Sequence, residues 1–240
     1  MCQGISAIAV QRGDKKLYFK SSVNSHSEIR KEFGLKDDKP QEQVNLEAHL
    51  YGDFFNIKDW KIVIDHEMVN IPDWFKENQP AIEGLFKDFL EEEIKETKVT
   101  NTYKGSLDLG YLKDGLGVIL PKTITGDLDL SRLTMAKGLV LPKTIGGWLN
   151  LSRLTTAKGL VLPKTIGEDL YLGNLTTAQG LVLPKTLGGS LWLNSLTTAK
   201  GLVLPETIGG YLDLHSLTTA KGLVLPKGFD KSKYYGPEIK

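Results

Sequence analysis

At 240 residues, with 40% hydrophobic and 25% charged residues, the chain has room for one large domain or two small ones and is too apolar to be disordered. A formal net charge of +1 gives no bulk attraction for a polyanion, and a single cysteine, Cys2, excludes an internal disulfide framework and a multi-cysteine zinc site. No apolar run reaches the ~18 residues of a membrane helix and no basic-then-apolar leader opens the chain, so a reducing cytoplasm is the expected location.

The near-zero net charge conceals an asymmetry. Residues 1–100 hold 14 basic and 19 acidic side chains, whereas the whole chain holds 30 and 29. The opposite signs of the two parts predict a domain boundary near residue 100. In the first part, residues 4–10 read as a buried strand, 11–15 as a turn and 17–20 as the return strand of a hairpin. Residues 25–35 read as a short helix, capped by Ser25 or Ser27 and ended by Gly34. A polar loop with Pro40 leads to two more strands, 44–51 and 60–65. Residues 72–75 read as a turn or helical start, and Pro80 is expected to open the last helix. That helix would place Ile82, Leu85, Phe86, Phe89, Leu90 and Ile94 on one face, and Glu91, Glu92, Glu93 and Lys95 mostly in water. The result is a small α+β domain over residues 1–100. Its core is marginal for its size, so it should dock on the first turn of the second part.

From about residue 101 the chain repeats itself. Pro121, Pro142, Pro163, Pro184, Pro205 and Pro226 recur at a fixed interval, and residues 159–167 give the clearest copy, Gly-Leu-Val-Leu-Pro-Lys-Thr-Ile-Gly. A period near ~20 residues signals a solenoid, in which each turn buries its apolar face only by stacking on its neighbours. Two strands per turn are expected. One is Gly-Leu-Val-Leu-Pro, as at 138–142; the other holds Leu149, Leu151 and Leu154, with alternate leucines pointing inward. Paired glycines such as Gly146 and Gly147 are expected at the corners, with positive φ. The predicted fold is therefore an α+β amino-terminal domain followed by a β-solenoid of about six turns over 101–227, with 228–240 as a terminal cap or tail.

The Leu-Pro-x-x-Ile and Leu-x-Leu-x-x-Leu phrases resemble leucine-rich repeats across about half of the chain. The asparagine usual in that family is replaced at the corresponding place by Leu154, Leu175, Leu196 and Leu217, and no turn has room for a helix. The resemblance implies a solenoid with two strands per turn and no helical back. The repeat phrase and the opening Met-Cys-x-Gly-Ile-Ser-Ala are similar to those of uncharacterised bacterial and phage proteins, a resemblance that carries no established activity.

Two functional readings arise from the residues. In the first, the protein binds a partner on the outward positions of the second strand. There Trp148, Tyr171, Trp192 and Tyr211 recur among Asp169, Asp213 and other polar side chains, the composition of an anchor-and-rim surface. Aromatic residues also simply favour strands. The expected partner is a protein or a small-molecule or nucleotide ligand, with conflict between phage and bacterium as a compatible setting. Nucleic acid is not expected, although the lysine ladders from Lys122 to Lys185 and from Lys137 to Lys221 could track a polyanion. The valine ladder from Val140 to Val224 makes a homo-oligomer plausible.

In the second reading the protein is a small enzyme. Removal of Met1 would leave Cys2 with a free α-amine beside its thiol, a pair suited to nucleophilic attack on an amide, a glycosidic bond or an aldehyde. His26 and Glu28 would act as its acid–base partners, with Glu47, His49, Asp65 and His66 as further candidates. The Met-Cys start resembles glutamine amidotransferases and abasic-site crosslinking proteins, and departs from both by the inserted Gln3. Only Cys2 carries over. Neither reading calls for a cofactor or a metal.

Overall fold

The computed structural model describes residues 4–12, 14–19, 25–35, 40–65, 68 and 70–239. The hairpin forms as expected, with β1 (Ile5–Arg12) antiparallel to β2 (Asp14–Phe19). Helix α1 (His26–Phe33) comes next, with Ser25 at its N-cap position. The Ser25 hydroxyl pairs with that of Ser27 at 2.7 Å and makes no cap bond to the helix backbone. Gly34, at φ 61°, ends the helix by donating its N–H to the Arg30 carbonyl. Strands β3 (Gln43–Leu50) and β4 (Trp60–Ile64) complete an antiparallel sheet in the order β2-β1-β3-β4.

Both faces of this sheet are covered. Ile8 and Val10 pack with Ile29 of α1, whereas Ile5, Ala7, Ala9, Leu46 and Ala48 join the larger core on the opposite face. Alternate residues of a strand point to opposite faces, so β3 turns Glu47 toward the α1 side, where it is buried.

The second helix differs from expectation. Helix α2 (Asp73–Thr100) starts before Pro80 and carries that proline inside it. A proline there removes one helical hydrogen bond, at a cost of about 3 kcal/mol. Tertiary contacts hold the first turns in place regardless. Phe75 is fully buried, and the Trp74 indole donates to the Gln41 carbonyl at 2.8 Å. Ile82, Phe86, Leu90 and Ile94 form the buried stripe, while Leu85 is exposed and Glu93 half-buried.

Beyond α2 the chain winds into a parallel β-solenoid with two short strands per turn. One series is β5 (Thr102–Tyr103), β7 (Thr123–Ile124), β9 (Thr144–Ile145), β11 (Thr165–Ile166), β13 (Thr186–Leu187) and β15 (Thr207–Ile208). The other is β6 (Leu107–Asp108), β8 (Leu128–Asp129), β10 (Leu149–Asn150), β12 (Leu170–Tyr171), β14 (Leu191–Trp192) and β16 (Leu212–Asp213). The tail adds β17 (Tyr234–Tyr235) beside β16, so the end of this second sheet is capped.

The expected Gly-Leu-Val-Leu-Pro strand is corrected. The first ladder lies on Thr-Ile, after the proline. Proline has no N–H to donate, and inter-turn bonding resumes one residue later, where Lys143 N–H reaches the Lys122 carbonyl at 2.7 Å. Within the Leu-Val-Leu segment the leading leucines, such as Leu139 and Leu160, are buried, and the valines from Val140 to Val224 are 71–79% exposed.

The glycine expectation is corrected as well. Positive φ belongs to the glycine before each Leu-Val-Leu, 82° at Gly138 and 79° at Gly159. The corner glycines serve close stacking. A Cβ on Gly188 would overlap the Gly167 carbonyl, and one on Gly167 would overlap that of Gly146.

The domain docks on the first turns as anticipated. Phe54 N–H donates to the Ile119 carbonyl at 2.9 Å, and Ile119 N–H to that of Gly52 at 3.1 Å. Gly4 N–H donates to the Asp108 carbonyl at 2.6 Å, and Phe54 packs edge-on against buried Tyr103. One continuous core runs from the amino-terminal sheet into the solenoid.

Candidate functional site

The second sheet of the solenoid presents an outward face on which two positions per strand recur at every turn. The first holds Ser106, Asp127, Trp148, Asp169, Ser190 and Tyr211. Its polar members brace the stack. Asp127 Oδ1 accepts from Trp148 N–H at 3.0 Å, Asp169 Oδ1 from Ser190 N–H at 2.6 Å, and Ser190 Oγ from Tyr211 N–H at 3.0 Å. The second position holds Asp108, Asp129, Asn150, Tyr171, Trp192 and Asp213. Where it is Asp or Asn, the side chain closes its own turn by accepting the backbone N–H two residues on, at 2.7–3.0 Å. The two remaining turns replace that bond with Tyr171 and Trp192.

These two rings lie parallel, with centroids 6.0 Å apart and planes 4° apart, and Trp148 meets Tyr171 edge-on at 6.4 Å. One carboxylate oxygen orients both. Asp169 Oδ2 accepts from the Tyr171 hydroxyl at 3.0 Å and from the Trp192 indole N–H at 3.3 Å. Burial, followed by the Asp169 hydrogen bond, pushes the Tyr171 phenol up to about 12. Three of the four expected aromatics therefore form one cluster with Asp169. Tyr211 stands apart and packs near Tyr235 of the cap, with centroids 5.7 Å apart. Asp213 is the strand neighbour of Trp192 and closes the turn at His215.

Next to the cluster, toward the amino-terminal domain, lies an open polar cavity of about 280 Å³. Asp108, Gly110, Asp129, Ser131, Arg132, Ser152 and Arg153 line it. Burial raises Asp108 to about 6, aided by neighbouring Asp129 and Glu47 and opposed by the Gly110 N–H. In the sequence, Arg132 and Arg153 add charge only locally. The available signal was their column, which reads Asn174, Ser195 and Ser216 in the later turns. Strand pairing places Asn150 between Asp129, which lines the cavity, and Tyr171 of the cluster, so the two lie on one face.

In the amino-terminal domain the structure gathers part of the expected acid–base set. His26 at the start of α1, Glu47 in β3 and Asp65 just after β4 converge with ligand atoms all within 4.8 Å of one another. His49 Nε2 lies 2.9 Å from Glu47 Oε2. Glu28 lies on the exposed side of α1, because a two-residue step along a helix turns a side chain away from its neighbour. Cys2 and His66 lie outside the described residues.

Comparison with protein-family models, curated proteins and solved structures finds no match to the chain. The fold itself defines the class: a β-solenoid repeat protein with a docked α+β domain. No helix among the described residues is long and apolar enough to cross a membrane.

Proposed function

We propose that the protein is a recognition protein that takes a small ligand on the open face of the second solenoid sheet. The ligand carries a flat ring and an anionic group, the chemistry of a nucleotide. One observation carries this reading. Two successive turns give up the turn-closing Asp or Asn found at the same position in the other four, and put Tyr171 and Trp192 there instead. Decoration of a sheet does not require a shared carboxylate to fix two rings, whereas an aromatic anchor gains affinity from being held before the ligand arrives. The arginines of the adjacent cavity supply donors for an anionic group. The repeat phrase and the amino-terminal motif, similar to those of bacterial and phage proteins, fit a role in conflict between the two, and this forms part of the same proposal.

The test is a titration of tryptophan fluorescence with AMP, GMP, CMP and UMP. Saturable binding to at least one of them is expected. It should weaken more than about tenfold in Tyr171→Ala and in Arg153→Ala, given that a stacked base is worth about 1–3 kcal/mol. Far-UV circular dichroism should be unchanged. Absence of binding to all four at millimolar concentration, or binding indifferent to both substitutions, would overturn the proposal. Catalysis by Cys2 is the competing reading. Cys2→Ala separates the two, because recognition on the solenoid face predicts unaltered binding.

A further inference from the structure

His26, Glu47 and Asp65 are 3%, 1% and 5% exposed. Each comes from a different element, so only the folded sheet with α1 packed on it brings them together. Two carboxylates and an imidazole within 4.8 Å and out of water form a costly arrangement unless positive charge is placed among them. The tautomer sharpens the point. His26 Nε2 lies 3.1 Å from the Leu46 carbonyl oxygen. A carbonyl oxygen only accepts, so Nε2 carries the proton. In neutral imidazole Nδ1 then holds a lone pair, and it lies 3.4 Å from Asp65 Oδ2. Two acceptors face each other in a buried site. A cation between them would be held by both.

We infer that His26 Nδ1 and the carboxylates of Glu47 and Asp65 form the binding site for one divalent transition-metal cation. A dication would take the Nδ1 lone pair and one oxygen from each carboxylate, the three atoms that converge here. The surroundings suit a metal site. A metal-bound histidine commonly donates its other ring N–H to a backbone carbonyl, as His26 does to Leu46. Glu47 Oε2 is held by His49, whose ring is stacked on Tyr111 with centroids 4.3 Å apart. One nitrogen and two carboxylates favour zinc, manganese or cobalt over magnesium and calcium, which prefer oxygen alone. This inference is independent of recognition on the solenoid face, which lies on a different sheet.

The test uses the full, tag-free chain, stripped with a chelator and titrated with Zn²⁺ by calorimetry and with Co²⁺ by visible absorption. One equivalent of Zn²⁺ is expected, with a rise in Tm. Affinity should fall more than about 100-fold in His26→Gln and in Asp65→Asn, beyond what loss of an outer partner alone produces, and should be unchanged in Glu28→Gln. Should those variants fail to fold, nitrogen NMR of the unaltered protein decides. Zn²⁺ should shift Nδ1 of His26 while Nε2 keeps its proton. Failure to take up Zn²⁺, Mn²⁺ and Co²⁺ would overturn the inference. So would uptake undiminished in both variants, or a His26 ring that keeps both protons in excess Zn²⁺.

Discussion

The hydroxyl of Tyr111 exchanges two hydrogen bonds with one residue, Leu50: it accepts the Leu50 N–H at 2.5 Å and donates to the Leu50 carbonyl at 2.9 Å. A side chain of the first solenoid turn thus completes the end of β3, and the two parts of the molecule share the satisfaction of one backbone unit. Tyr111→Phe leaves both Leu50 groups without these bonds. A loss of about 1–3 kcal/mol is expected. It should appear in urea unfolding as a lower midpoint with unchanged slope; an unmoved midpoint would show that the joint does not depend on this pair.

Two glycine substitutions should differ for a physical reason. Gly159 has positive φ, and a Cβ there meets nothing within 4 Å, so Gly159→Ala costs only the left-handed strain of about 1–2 kcal/mol. In Gly188→Ala the new methyl overlaps the Gly167 carbonyl, and the stacked turns must separate. This variant should lose more than about 3 kcal/mol or fail to fold. Thermal denaturation of the pair checks the order.

The Tyr171 phenol provides a reporter of its bond to Asp169. Raised to about 12, it should titrate above the ordinary phenol value near ~10 in ultraviolet absorbance, with Tyr171→Phe as the blank. Asp169→Asn should lower it toward the ordinary value near ~10. A raised value fixes the sign for stability. This contribution is fully present below the unfolded phenol's ~10 and is lost as pH rises through about 12.

Asp108 makes the complementary case in acid. Its carboxyl is raised to about 6, first by burial, so the contribution is full below the ordinary ~4 and is lost as pH climbs through about 6. Asp108→Asn can still accept the Gly110 N–H and removes the charge. It should be more stable than the parent at pH 7, by about 1 kcal/mol after allowing for solvent, and flatter between pH 4 and 6. A steeper profile in the variant would contradict this.

The valine stripe should matter to association and little to folding. With these side chains 71–79% exposed, Val161→Thr and Val182→Thr should each change stability by less than about 0.5 kcal/mol. Sedimentation velocity tests self-association through the stripe. It predicts concentration-dependent association that Val161→Lys with Val182→Lys abolishes; a monomer at every concentration rules it out.

Much of this molecule is legible in its sequence because solenoid packing is local and repeated. Leu149, Leu151 and Leu154 alternate into the core because each turn has no other place to bury them. The misplaced strand is instructive. Leu-Val-Leu has the stronger strand composition, yet the ladder forms on Thr-Ile, because Pro142 cannot donate and the turn at Gly138 occupies the other end. Pro80 misled for the opposite reason. A local rule for starting helices yielded to the tertiary anchoring of Phe75 and Trp74. The aromatic column could be read off the repeats, but Asp169 as the residue that orients Tyr171 and Trp192 required geometry. The meeting of His26, Glu47 and Asp65 was hidden because their spacing carries no signature; sheet pairing and the seating of α1 create it.

The most direct test of recognition on the solenoid face uses the four indole N–H resonances of the full chain, recorded as mononucleotide is added. Trp60 and Trp74 serve as internal references, since their indoles donate to the carbonyls of Phe54 and Gln41 away from the face. Recognition on this face predicts that the resonances of Trp148 and Trp192 shift together and saturate, while those of Trp60 and Trp74 stay in place. Unmoved Trp148 and Trp192, or shifts confined to Trp60 and Trp74, would contradict it.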